Sequence, residues 1–284
     1  MEKYKRFSDE KTGKVPYLTL GSKQSATDLL FAISLIFPRA IAFAVLLGLM
    51  FVAGKISGAL EAKVAGAILF VLGVSVKVDG KKVQRAKNTQ SLILSNFSSY
   101  LDFFVLKSLF GSNEMELVVS HTSELSARPS TSFGAQLSHA FTPRSALPTP
   151  VKTPVTLEIP QGPSHLFFEG ARTNNTCALA VEPSLSISLF RAVQSQKREL
   201  SFVKILHSNK SVAVPNKQAF ANFFTSILQL KDEITISILP LAPEDFKVVD
   251  NLKMTAKELY PDSLFSIMEK DHKHYRDFLD YDRL

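Results

Sequence analysis

Between Leu29 and Ala53 the chain is almost wholly apolar, and this run restricts the available folds more than any other stretch. Only Pro38-Arg39 breaks it, and a second apolar run, Val64 to Val76, follows the short polar link Gly54–Lys63. A straight bilayer span needs about 20 apolar residues. Leu29–Ala53 reaches that length only if Arg39 is accommodated, and Val64–Val76 falls short. An arginine at mid-depth is costly in lipid unless it snorkels or the helix enters a single leaflet. Pro38 supplies a kink suited to such shallow entry. Both flanks are basic, with Lys3, Lys5, Arg6, Lys11, Lys14 and Lys23 on one side and Lys77, Lys81, Lys82, Arg85 and Lys87 on the other. The positive-inside tendency puts both on the cytosolic face, which calls for an even number of crossings or none. The pattern predicts a basic tail over 1–28 and a hydrophobic hairpin or half-buried anchor over 29–76. Two core helices of a soluble protein are the alternative. The first apolar run starts far from the amino terminus, which argues against a cleaved signal peptide.

Beyond the anchor the periodicity changes to that of an α/β domain. Val74–Val78 alternates and closes on Asp79-Gly80, as a strand and its turn do. Ser91–Leu106 (SLILSNFSSYLDFFVL) joins a short apolar strand to the start of a helix through Asn96–Asp102. Polar side chains at such a turn stand at the rim of a rigid sheet, where α/β proteins place their chemistry. Further strands are expected at Glu116–Ser120, His165–Glu169, Leu200–His207 and Ile234–Leu239. Helical spacing of Phe220, Phe223, Phe224, Ile227 and Leu228 predicts a core-facing helix over Ala219–Leu230. Residues 126–164 hold seven of the chain's 14 prolines with many Ser and Thr, and read as an irregular surface excursion. The organisation is an α/β domain over 77–250 and a charged helix over 251–284.

The formal net charge of +7 suits an anionic membrane surface or nucleic acid. Eleven of the 33 basic residues flank the apolar runs, and no basic patch with interleaved aromatics emerges, which disfavours nucleic acid. The single cysteine, Cys177, excludes an intrachain disulfide and any multi-cysteine metal site. His272 and His274 lie two residues apart, on different faces of a helix, and read as solvated rather than as metal ligands.

Asn96, Ser98, Ser99 and Asp102 resemble the first block of the glycerolipid acyltransferase family, Asn-His-x-Ser-x-x-Asp. Three further stretches follow in the family's order. Glu124-Leu125, Gly134, Phe141 and Arg144 resemble its second block. Phe168-Glu169-Gly170 and Arg172 resemble the third, Phe-Pro-Glu-Gly-x-Arg-Ser, with Phe168 in place of the proline. Ser211–Pro215 resembles the fourth. The residue chemistry suits a phosphate-bearing ligand: Gly170 admits close backbone approach, and Arg172 presents a planar fork of donors. Glu169 can orient that arginine or a glycerol hydroxyl. The opening MEKY…TGKVPYL and the carboxy-terminal layout are similar to one fungal branch, the lysophosphatidic acid:oleoyl-CoA acyltransferases of the endoplasmic reticulum and lipid droplets.

The resemblance implies an α/β fold with a mixed sheet flanked by helices and an N-terminal membrane anchor. It implies transfer of a fatty acyl group from acyl-CoA, as co-substrate, to a lysophospholipid such as lysophosphatidic acid, giving phosphatidic acid without metal or prosthetic group. It places the catalytic domain on the cytosolic side of the endoplasmic reticulum membrane or lipid droplet. Asn96 and Asp102 take catalytic places, and Ser98, Arg144, Glu169, Gly170 and Arg172 take substrate-binding ones.

One departure matters most: Phe97 occupies the place of the family's catalytic histidine. A general base must offer a lone pair, and its loss is worth about 10²–10⁴-fold in rate. Three routes remain open. Asp102 can act directly or through water, although an ordinary carboxylate, with a pKa of about 4, is a weak base. Another histidine can substitute, with His121 the better placed and His165 about four strand residues from Glu169. Proximity of two bound substrates can sustain slow turnover without a base. The competing reading is a lipid-binding scaffold that keeps the phosphate site without turnover.

Overall fold

The central hydrophobic cluster joins four helices to one face of a mixed sheet, and that face carries the candidate site. The structure is a computed structural model. It describes residues 26–88, 91–111, 113–119, 125–129, 156–157, 164–167, 177–179, 191, 193–196, 198–208, 227, 231–241 and 266–268. Two long helices come first, α1 (Ala26–Ile56) and α2 (Gly58–Val71). Strand β1 (Val74–Val78), helix α3 (Gly80–Asn88), strand β2 (Leu92–Ser95) and helix α4 (Leu101–Phe110) follow. Eight strands complete the described chain: β3 (Asn113–Val119), β4 (Leu125–Pro129), β5 (Thr156–Leu157), β6 (Ser164–Phe167), β7 (Cys177–Leu179), β8 (Leu200–His207), β9 (Asp232–Leu241) and β10 (Ser266–Met268).

Eight strands form one sheet in the order β1-β9-β8-β2-β6-β3-β4-β5, and β10 pairs with β7 separately. The neighbours of β2 on both sides, β6 and β8, run parallel to it. β9 runs antiparallel to β8 and parallel to β1. A strand with parallel neighbours and helices on its face reads as a continuous apolar run rather than an alternating one. Leu92, Ile93 and Leu94 are such a run, and all of β2 is buried. Registered residues share a face, so Ile93, His165 and Ser201 lie in one row across the sheet, and Ser95, Phe167 and Val203 in the next.

The mixed sheet flanked by helices is the architecture the sequence resemblance implied. Strands expected near Val74, Leu92, Leu200 and Ile234 fall within β1, β2, β8 and β9. Elsewhere the structure differs. The apolar run Val64–Val76 is shared between α2 and β1, because Leu72 caps α2 and Gly73 turns the chain at φ 74°. The stretch 126–164, expected to be irregular, contributes most of β4 and all of β5. Proline is tolerated where Pro129 stands, at the end of β4. In the carboxy-terminal segment, expected to be helical, Ser266–Met268 is a strand paired parallel to Cys177–Leu179. Pairing with a partner distant in sequence overrides the local helical period there. The predicted helix over Ala219–Leu230 lies outside the described residues apart from Ile227, which is helical and buried.

Helix α1 runs unbroken through Pro38, and Ala32–Ile56 is long and apolar enough to cross a membrane. One side packs on α2, and Phe43 meets Phe104 of α4 edge-on, with ring centroids 6.0 Å apart. Leu30, Ile33, Phe37, Ile41, Val45, Leu49, Val52 and Ile56 face outward at three- and four-residue spacing. So long an exposed apolar stripe marks a lipid or protein contact. Arg39 does not point into it: its guanidinium donates to the carbonyl of Ile227 at 3.1 Å.

Helix α2 is stitched to α4 by charge as well as by packing. Lys107 Nζ lies 3.1 Å from Glu61 Oε1, with side chains 2% and 10% exposed. A Cβ placed on Gly54 would stand 3.2 Å from the Glu61 carboxyl carbon, so glycine lets α1 pass close to this pair. Removing one partner of such a pair strands a buried charge, whereas replacing both by apolar groups is often neutral. Lys107→Met is therefore expected to cost about 3–5 kcal/mol, and Glu61→Leu with Lys107→Met much less. Urea unfolding in detergent decides it, and equal losses in the single and double variants would refute this account.

Candidate active site

Strand β2 ends at Ser95, but its ladder with β8 does not. Asn96 donates from Nδ2 to the carbonyl of Ile205 at 2.9 Å, and the Ile205 N–H donates back to Asn96 Oδ1 at 2.7 Å. The side-chain amide thus takes the place of the next peptide unit of the strand. Both polar ends of Asn96, fully buried, are held in this tie.

Past it, residues 97–100 turn into α4. The Phe97 ring is fully buried and stacks on Phe167 of β6, with centroids 4.3 Å apart and planes 28° apart. The place where the sequence resemblance puts a histidine is therefore filled by a hydrocarbon stack. Asp102 sits in the first turn of α4, where the helix dipole favours a carboxylate. Its Oδ2 accepts the backbone N–H of Ser98 at 2.7 Å and of Ser99 at 2.9 Å, and the Ser98 hydroxyl at 3.2 Å.

The other carboxylate oxygen faces a residue that sequence reasoning did not single out. His207, the last residue of β8, places Nε2 2.7 Å from Asp102 Oδ1 and Nδ1 2.7 Å from Asp232 Oδ2. Asp232 opens β9, and its Oδ1 accepts the hydroxyl of Ser208 at 3.1 Å. Side-chain exposure is 0% for Asp102 and His207 and 2% for Asp232. Burial alone would push the imidazole pKa down, but the charge and hydrogen bond of Asp102 and the bond and charge of Asp232 outweigh it. The ring is raised from 6.5 to about 10. At neutral pH His207 is an imidazolium whose two N–H groups donate to two carboxylates, leaving no lone pair for a substrate hydroxyl.

Asn96, Ser98 and Asp102 are thus gathered at one turn, with roles fixed by their partners: Asn96 ties strands, and Ser98 gives both its donors to Asp102. His121, Arg144, Glu169, Gly170 and Arg172 lie outside the described residues. His165 is buried on β6, its ring 6.2 Å from Phe103 and 5.4 Å from Phe167, in an aromatic setting. Among the described residues no group of His, Cys, Asp or Glu converges to hold a metal ion. Asp102, His207 and Asp232 are strung in a line instead. The signal that could have found His207 is faint: a histidine closing an apolar strand, on the same face as Val203 and Ile205. Only the parallel register, Ser95 beside Val203, carries that face to the turn.

The sequence matches no family model and no curated protein. Among solved structures, the chain is similar to the 1-acyl-sn-glycerophosphate (LPA) acyltransferase, PlsC, from Thermotoga maritima, at 12% identity and a TM-score of 0.45. The likeness covers 84% of this chain and 96% of that one. At that level it assigns neither family nor chemistry.

A group whose pKa is raised by folding adds stability that is complete below its unfolded value and lost as the pH climbs through its folded value. For His207 that window runs from 6.5 to about 10. Thermal unfolding in detergent across it is expected to show a falling Tm in the wild type and a shallower fall in His207→Gln. Parallel curves for the two proteins would contradict a charged His207.

Proposed function

We propose that this protein is a membrane-attached acyltransferase that moves a fatty acyl group from acyl-CoA to the free hydroxyl of a lysophospholipid. The carrying observation is the buried, fully hydrogen-bonded Asp102 at the β2–α4 turn, in the segment whose sequence resembles the first acyltransferase block. The same helix that bears Asp102 packs through Phe104 on Phe43 of α1, whose far side is an apolar stripe of membrane-spanning length. A charged centre under a lipid-facing surface suits a reaction between a lipid acceptor and a water-soluble thioester. Oleoyl-CoA and lysophosphatidic acid are the proposed substrates and phosphatidic acid the product. The proposed setting is the endoplasmic reticulum membrane or lipid droplet, with the site toward the cytosol. Glu169, Gly170, Arg172 and Arg144 are proposed to hold the acceptor's phosphate, and His121 is the reserve candidate for proton transfer.

A second reading has its own observation. Phe97 is locked against Phe167, and Ser98 and Asp102 are wholly buried, which also suits a lipid-binding scaffold without turnover.

Acyl transfer from labelled oleoyl-CoA to lysophosphatidic acid by the reconstituted full chain separates the two. The enzyme reading expects wild-type product, a loss of about 10²–10⁴-fold in Asp102→Ala, and a raised KM in Arg172→Ala. Product absent from wild type but present in Phe97→His would favour a decayed site kept for binding. No product from any of the four would end the acyltransferase reading.

A further inference from the structure

Acyl transfer needs a proton acceptor at the attacking hydroxyl, and the position that should carry one holds Phe97. The structure nevertheless puts an imidazole on Asp102 from another strand. Extending the β2–β8 register past Ser95 and Val203 sets His207 beside Ser99, across from the turn itself. We propose that His207, backed by Asp232, is the positioning histidine of this site, holding Asp102 aligned so that Asp102 accepts the proton through the hydroxyl of Ser98. This rests on the acyltransferase reading above and adds to it two residues from β8 and β9.

The geometry gives each group one task. Asp232 fixes Nδ1, so the ring cannot flip or swing. Nε2–H then donates to Asp102 Oδ1, at 2.7 Å. Two backbone N–H groups and the Ser98 hydroxyl converge on Oδ2, and among the described residues Ser98 is the one side-chain hydroxyl bonded to that carboxylate. Among the described residues, the charged groups that act on His207 are Asp102, from α4, and Asp232, from β9. Asp102 Oδ2 is the carboxylate oxygen bonded to the Ser98 hydroxyl at 3.2 Å, so it is the one to which that hydroxyl can hand a proton.

The step balances as follows. The acceptor oxygen bonds to the thioester carbonyl carbon, and the C=O π pair moves to the carbonyl oxygen. The hydroxyl proton passes to Ser98 Oγ as the proton already on Ser98 moves to Asp102 Oδ2. On collapse the oxygen pair re-forms C=O, the C–S bond breaks, and the pair leaves on the CoA sulfur. That sulfur recovers the proton by the reverse path, and nothing is oxidised or reduced. Above the pH at which His207 loses its charge, two carboxylates face a neutral ring, one of them opposite a lone pair. The alignment of Asp102 fails there.

Two measurements on the full-length protein test this. The first is nitrogen-15 NMR of histidine-labelled protein in detergent, with the His207 signal assigned from His207→Gln. At pH of about 7.5 both ring nitrogens of His207 are expected to be protonated, since an opposite charge nearby shifts a pKa by about 1–3 units; a neutral ring overturns the proposal whatever the activity. The second is the pH profile of acyl transfer for wild type and Asp232→Asn, a nearly isosteric change suited to folding where His207→Gln does not. Asp232→Asn is expected to lower kcat about 10²-fold with KM unchanged, and to move the alkaline limb down by about 1–3 pH units. A purely structural Asp232 would leave the limb where it is. Wild-type turnover with an unshifted limb and an unchanged kcat in Asp232→Asn overturns the role of His207 while leaving the acyltransferase reading intact. A wild type without turnover overturns both.

Discussion

One buried ionic contact, His207 between Asp102 and Asp232, holds the helical layer to the sheet at the point where the chain leaves β2. Removing three ionisable groups from water is costly, and the cost is offset only when their charges alternate and their hydrogen bonds are complete. Both conditions are met here: imidazolium between carboxylates, serine donors on the outer oxygens. The contact also unites distant parts of the chain, since 105 positions separate His207 from Asp102. No apolar contact would fix the azimuth of α4 against β8 and β9 so narrowly, because packing is tolerant of small rotations where a 2.7 Å bond is not.

The helical layer repeats the device at its other end. Glu61 and Lys107 tie α2 to α4 in the same way, and Gly54 clears space for α1 above them. Helix α1 is therefore anchored to the domain along one side and turns its other side outward. Arg39, the residue that made a simple span costly, is directed inward to a carbonyl rather than out to lipid. Its cost was real, and the fold meets it locally.

The frame of strands was legible because the apolar runs of β2 and β8 and the alternation of β1 and β9 are local signals. The turn at Asn96–Asp102 was legible too, as polar residues between two apolar runs. His207 was not. Its importance comes from a parallel pairing between segments more than 100 residues apart, and no local period reports such a pairing. Asp232 is hidden for the same reason, one of two adjacent acidic residues opening an edge-ward strand. At 126–164 the local signal is of another kind: proline content argues against helix, but Thr156 and Leu157 gain ladder partners in β4 that composition does not disclose.

Asn96 has a consequence for how such a turn can change over time. Its amide, rather than the backbone after it, closes the last rung between β2 and β8. The residue that follows is thereby released from any duty in the ladder. Strand pairing and aromatic packing at this turn are thus carried by neighbouring residues, the rung by Asn96 and the stack by Phe97, so that a change in one need not disturb the other.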